Sequence, residues 1–226
     1  MINTLKEIRI LNERISFYDH KKSNSVYWIQ DELNEEYNLN KLTINNNDVI
    51  IDIGAHVGVV STYLAKANPN CKIYSFEPTS NTFHCLSKNI IKNEIKNVKF
   101  FNTAITSDGR DVIMNMPIGN TGGSSLLYEP SSGFYYKNSV KSLPINNVIE
   151  DILKTENTDK IKLLKIDCEG AEYDIIKNIK PELFSKIENI IGEFHTINGD
   201  DVNTPKNLLE YCEQYVNPDK IKVRFL

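Results

Sequence analysis

Residues Val49 to Gly58 read "VIIDIGAHVG": an apolar run carrying one acid, Asp52, then two glycines, Gly54 and Gly58, four positions apart. A short apolar run closed by glycine predicts a buried strand over Val49–Ile53. Gly54 lets the chain turn sharply, and Gly58 lets a bulky ligand approach the backbone. The next stretch, "VGVVSTYLAKA", sets Val59, Tyr63 and Ala67 at helical spacing. Strand, glycine turn and helix together form an opening with free backbone N–H groups at the helix start.

The same rhythm continues on both sides. Apolar runs at Lys72–Phe76 and Val98–Asn102 flank "TSNTFHCLSKNIIKN", where Thr79 or Ser80 caps a helix with a buried stripe of Phe83, Leu86, Ile90 and Ile91. Alternating strands and helices with short loops predict an α/β fold around a mostly parallel sheet, with helices on both faces. Downstream come a helix at "NNVIEDILKT", strands at Leu163–Ile166 and Asn189–Phe194, a helix after Gly170 and another near "PKNLLEYCEQYV", and a last strand, "IKVRF". Upstream, "IRILNERISFY" alternates like a hairpin or edge strand, and "SVYWIQDELNEEY" reads as a helix with Trp28, Ile29 and Leu33 on one side. Residues 1–40 are therefore expected to form a strand and helix extension to a single domain over 41–226. Residues 109–145 break the rhythm with Gly, Ser and Pro clusters, predicting a strand around Val112–Met116 and a long inserted loop for a substrate.

Bulk properties exclude several classes. A chain of 226 residues buries a core without staples, and a net charge of −4 offers no basic field for nucleic acid. Cys71, Cys85, Cys168 and Cys212 show neither zinc spacing nor a secreted disulfide framework. No stretch approaches the ~18 apolar residues of a membrane span, and the charged N-terminus lacks a signal peptide's apolar region. The expected setting is soluble and cytoplasmic, with homo-oligomerisation left open.

Spacing in the turn separates the cofactors. A dinucleotide turn prefers G-x-G-x-x-G, but position 56 is histidine; a P-loop needs Gly-Lys-Ser/Thr, but Val59, Val60 and Ser61 follow Gly58. Asp52, two residues before Gly54, would repel a phosphate and suits a cationic ligand. S-adenosylmethionine carries a sulfonium and an ammonium and no phosphate. Glu77, at the end of "YSFEP" and 25 residues after Asp52, can accept both ribose hydroxyls. Asn102, with the backbone of Thr103 and Ala104, falls where an adenine ring would lie, and His56 is counted with the cofactor turn.

Four stretches, "VIIDIGAHVGVVSTYLA", "IYSFEP", "LLKIDCEGAEYDII" and "IIGEFH", occur in the order seen in FkbM-type methyltransferases, which the chain resembles over about residues 49–195. The most specific piece is "KIDCEGAE". The resemblance implies S-adenosylmethionine-dependent methyl transfer to a hydroxyl oxygen of a sugar, polyketide or similar small molecule or glycan. It also implies the Rossmann-like class I methyltransferase fold, a seven-stranded sheet with one antiparallel edge strand. By position, Asp52, Gly54 and Gly58 match the first cofactor motif and Glu77 the ribose acid, while His56 stands where asparagine is frequent. Only one strand follows the last helix, so the terminal hairpin of that fold is expected to be incomplete or rearranged.

An alcohol proton leaves reluctantly near neutral pH, so O-methylation calls for a base or a metal. "KIDCEGAE" sets Asp167 at a strand end and Glu169 and Glu172 at the start of a helix, where the dipole also favours acids. "GEFHTI" sets Glu193 and His195 two apart, hence on one face of a strand. His195 is the preferred general base, with an unperturbed pKa near ~6.5, and Asp167 or Glu169 orients it, holds the acceptor hydroxyl or, for Asp167, meets the cofactor. Asp167, Glu193 and His195 also carry the ligand types of a Mg²⁺ or Mn²⁺ site, although no metal ligand is assigned. Cys168 reads as a small buried filler.

In the inserted loop, Gly122 and Gly123 would give freedom, Ser124 and Ser125 would bind sugar hydroxyls, and Tyr128, Phe134, Tyr135 and Tyr136 would stack on a ring. Two other readings compete. An NAD-dependent oxidoreductase or sugar epimerase would share Glu77, but Tyr136 and Lys141 stand five apart where its hydride site needs four. A catalytically silent methyltransferase-like binding subunit would keep the fold without the chemistry.

Overall fold

The computed structural model describes residues 3–35, 37, 39–117, 124–125 and 135–226. Its centre is a six-stranded sheet built from β3 (Val49–Ile53), β4 (Lys72–Phe76), β5 (Val98–Phe101), β10 (Leu163–Ile166), β11 (Ile190–Phe194) and β12 (Ile221–Phe225), in the order β12-β11-β10-β3-β4-β5. Every pairing in it is parallel. The expected seventh, antiparallel strand is absent among the described residues: after α7 (Pro205–Cys212) the chain makes one strand, which pairs directly with β11. A helical crossover delivers that strand parallel, as a tight hairpin could not.

All five residues of β3 are buried, because helices cover both faces of a parallel sheet. Val49, Ile51 and Ile53 point into a cluster with α4 (Ile145–Thr155), α5 (Glu172–Ile176), α6 (Pro181–Phe184) and α7. Ile50 points the other way, toward α2 (Val59–Ala67) and α3 (Ser80–Lys92). Asp52 shares that second face by alternation. In α3 the stripe is Leu86 and Ile90; Ile91 is 70% exposed, since one residue turns the helix by ~100° and carries it past the sheet.

The N-terminal hairpin of β1 (Asn3–Ile10) and β2 (Glu13–His20) turns at Leu11 and Asn12, both with positive φ, as a two-residue hairpin turn requires. Its Ile8, Ile15 and Phe17 join Val26 and Leu33 of α1 (Ser25–Glu35) in the same cluster as Ile50, Leu64 and Leu86. The Asn89 side chain fastens the hairpin to the cofactor turn, donating to the carbonyls of Tyr18 (2.9 Å) and Val57 (2.8 Å) and accepting from the Tyr18 N–H (2.6 Å). Between β5 and α4, the inserted region contributes β6 (Ala104–Thr106) paired with β9 (Ser142–Pro144), and β7 (Val112–Pro117) antiparallel to β8 (Tyr135–Val140). Gly122, Gly123, Tyr128 and Phe134 lie outside the described residues. Among the described residues, no helix is long and apolar enough to cross a membrane.

Candidate active site

The strand order reverses between β3 and β10, and a crevice opens at the carboxyl ends of such a pair. Gly54 turns there with φ +75, and a Cβ on it would stand 1.9 Å from the Asp167 carbonyl oxygen. Only glycine lets the loops after β3 and β10 pass this closely. Gly58, with φ +85, starts α2 and packs beside Leu86.

Lys165 fixes this turn. It faces Asp52 across the β10–β3 register, an ammonium inside an otherwise apolar strand. Its Nζ donates to the Gly54 carbonyl at 2.7 Å and lies 3.4 Å from Asp52 Oδ1 and 3.8 Å from Asp167 Oδ2. Burial alone would lower its pKa, but the two carboxylates more than offset that and hold the ammonium charged. Asp52 is fully buried, and its Oδ2 accepts from the Ser61 hydroxyl at 2.5 Å, so it braces α2 and Lys165 behind the turn.

The second wall is Glu77, just after β4. One oxygen accepts from the Thr79 N–H at 2.8 Å, the other from the His56 N–H at 3.0 Å. Burial pushes its pKa up to about 7 against those two bonds. His56, itself at φ +52, is held neutral, with burial lowering its imidazole to about 4. Asn102 braces the same corner, donating to the carbonyls of Glu77 (2.9 Å) and Pro78 (3.0 Å).

The acids of the two later motifs converge on His195. Glu172, fully buried, accepts from the Cys168 N–H at 2.7 Å and the Gly170 N–H at 3.0 Å, and its Oε1 lies 3.1 Å from His195 Nδ1. The other ring nitrogen, Nε2, faces Glu169 Oε2 at 3.6 Å and Glu193 Oε2 at 3.8 Å. Burial alone would lower the His195 pKa, but the Glu172 bond and the surrounding carboxylates raise it to about 9. Burial pushes Glu169 up to about 7 and, with Asp167 and Glu32 beside it, Glu193 up to about 8. Arg224 of β12 lies 2.8 Å from Glu193 Oε1 and 3.8 Å from Glu32 of α1. Burial first, then nearby Asp167 and Glu32, raises the Tyr37 phenol well above its usual range. Cys168 is a half-buried free thiol, its pKa raised by burial and the Glu172 charge.

These groups share one cavity of about 400 Å³. Of the residues expected from sequence, Gly54, His56, Glu77, Thr103 and Ala104 line its cofactor side, and Asp167, Glu169, Glu193 and His195 line the other. Asp52, Gly58 and Asn102 stand behind its wall. Ser124 lines it, and Ser125 donates to the Glu169 carbonyl at 2.7 Å, which ties the inserted region to the acidic turn. The sequence reading missed Lys165, Tyr37, Arg224 and the α1 face, where Trp28 lines the cavity while 56% exposed. A lone lysine in "LLKID" was the one available signal among these.

A sequence model described as the methyltransferase FkbM domain matches residues 52–217. The methyltransferase sdnD of Sordaria araneosa is 24% identical, over 80% of this chain and 79% of that protein. Methyltransferase 1 of Beauveria bassiana (strain ARSEF 2860) is also 24% identical, over 73% of this chain and 71% of its own length. The 31-O-demethyl-FK506 methyltransferase FkbM of Streptomyces tacrolimicus is 22% identical, over 67% of each.

Proposed function

Because the chain belongs to the FkbM methyltransferase family, we propose that it is an S-adenosylmethionine-dependent O-methyltransferase acting on a hydroxyl of a sugar, glycan or related small molecule. The observation that carries this reading is Glu77, a buried carboxylate on the cavity wall with two backbone donors. A carboxylate has about four lone-pair sites, so room remains for two ribose hydroxyls. The donor set suits the cofactor otherwise: among the described residues, the lysine and arginine that line the cavity are Lys165, whose charge is met by Asp52 and Asp167, and Arg224, which is paired with Glu193 and Glu32. Gly54, His56, Thr103 and Ala104 would bound the rest of the cofactor. When bound, it supplies a methyl on a sulfonium, which leaves with the C–S electron pair returning to sulfur.

The chain's own task is to hold the acceptor and take its proton. We assign that proton to Glu169 in place of His195. The Glu169 carboxylate faces the cavity with no hydrogen bond among the described residues, whereas His195 is held by Glu172 at Nδ1 and turns Nε2 toward Glu169 and Glu193. Glu169 also sits at φ +53, a conformation that costs a non-glycine residue strain. The hydroxyl proton passes to Glu169 as the oxygen gains the methyl group, so charge and atoms balance. The relative from Streptomyces tacrolimicus is named for an oxygen position, which supports oxygen as the acceptor atom. Ser124 and Trp28, which line the cavity, are the groups we assign to the acceptor's ring and hydroxyls, with residues 109–145 as the acceptor-binding insertion. The test is incubation with methyl-labelled cofactor and a panel of sugars, followed by NMR of the product. A methoxy resonance on a sugar carbon is expected; a methyl on nitrogen or carbon would overturn the oxygen assignment.

A further inference from the structure

His195 is about nine-tenths buried, yet Nε2 makes no hydrogen bond among the described residues and points at carboxylates just beyond bonding distance. Its opposite nitrogen is pinned by Glu172, a carboxylate fully buried and fixed by two backbone N–H groups. A buried carboxylate that orients an imidazole, leaving the other nitrogen aimed at further acids, is the outer support that metal-ligating histidines carry. Atoms of Asp167, Glu193 and His195 all lie within 4.8 Å of one another. Ligands at ~2.1 Å around one octahedral ion stand up to ~4.2 Å apart, so a small contraction closes the set. The three come from two different strand ends and meet in the cavity that holds Glu169.

We propose that Asp167, Glu193 and His195 bind one Mg²⁺ or Mn²⁺ ion, which holds the acceptor beside Glu169. Two carboxylates and one imidazole suit a hard divalent cation, and three protein ligands leave about three of six positions open. An acceptor with a hydroxyl beside a second hydroxyl or carbonyl oxygen fills two of them. The ion draws electron density from the hydroxyl and eases its loss of a proton to Glu169; no electron is transferred and the ion is unchanged. Acceptor choice thus narrows to vicinal diols and α-hydroxy carbonyl groups. This inference rests on the methyltransferase reading, because the ion matters only where a hydroxyl is to be methylated.

The test uses the full chain saturated with S-adenosylhomocysteine, with Mn²⁺ followed by electron paramagnetic resonance and the homocysteine product by calorimetry on the same samples. One Mn²⁺ per chain is expected, weakened at least tenfold in His195→Ala and Asp167→Asn. Glu172→Gln, which touches no ion, should weaken it by about 10–100-fold, as outer-shell changes do. Product binding with no Mn²⁺ uptake overturns the metal site and leaves the methyltransferase reading standing. Mn²⁺ uptake that all three variants retain places the ion elsewhere and overturns it too. Failure of the wild-type chain to bind either ligand overturns both readings.

Discussion

The ammonium of Lys165 donates to the carbonyl of Gly54 at 2.7 Å while facing Asp52 and Asp167, so one side chain ties the two loops that meet at the sheet's switch point. Lys165→Met would leave the fully buried Asp52 carboxylate without its cation. Breaking a buried pair this way costs about 3–5 kcal/mol. Urea unfolding should show that loss, and binding of S-adenosylhomocysteine should weaken with it. Unchanged stability would mean that Lys165 is not what holds the turn.

Gly54→Ala tests the same contact from the other side. The added carbon would stand 1.9 Å from a backbone oxygen that has nowhere to go, whereas at Gly199, also at positive φ, a Cβ meets nothing within 4 Å. Gly199→Ala should cost only the left-handed strain, of about 1 kcal/mol. Gly54→Ala should cost clearly more and lower cofactor affinity at least tenfold. Equal effects of the two substitutions on Tm would remove the close-approach argument.

Glu77 predicts a pH dependence. Its carboxyl titrates at about 7 in the folded chain, above the ordinary 4.5, so the folded state holds that proton more tightly than the unfolded state. The stability this gives is complete below about pH 4.5 and is lost as pH rises to about 7, some 3 kcal/mol in all. Denaturant titrations of the ligand-free protein across that window should show this decline, and Glu77→Gln should flatten it. Cofactor affinity should run oppositely, strengthening up to about pH 7 as the carboxylate forms to accept ribose hydroxyls. A variant with the wild-type pH profile would exclude Glu77 as the titrating group.

Asn89 carries the hairpin's influence to the site. Asn89→Ala would orphan backbone groups of Tyr18 and Val57 and cost about 1–3 kcal/mol. Because Val57 lies in the cofactor turn, product affinity should fall along with stability. Loss of stability with full affinity would show the hairpin to be a brace for the helix alone.

Much of the fold is legible in the sequence alone, for a reason visible in "VIIDIGAHVG". Strand, turn and helix are local, and a fully buried parallel strand announces itself as an unbroken apolar run. Glu77 and the acidic turn stand out in the sequence because ligands sit at strand ends. What sequence did not convey was register. That Lys165 stands opposite Asp52, turning that acid into a brace behind the cavity wall, follows from which strands are neighbours. The same holds for Arg224, whose strand reaches Glu193 only because β12 pairs directly with β11. Environment is the other gap: the sequence gives His195 only its ordinary pKa, and the three carboxylates around it come together through the fold.

The most direct test of the cofactor assignment is calorimetric titration of the full chain with S-adenosylhomocysteine and, separately, with NAD, repeated on Glu77→Gln. One homocysteine product per chain, weakened at least tenfold by the substitution and with no heat from NAD, is the expected result. NAD binding, or product binding indifferent to Glu77, would contradict the account.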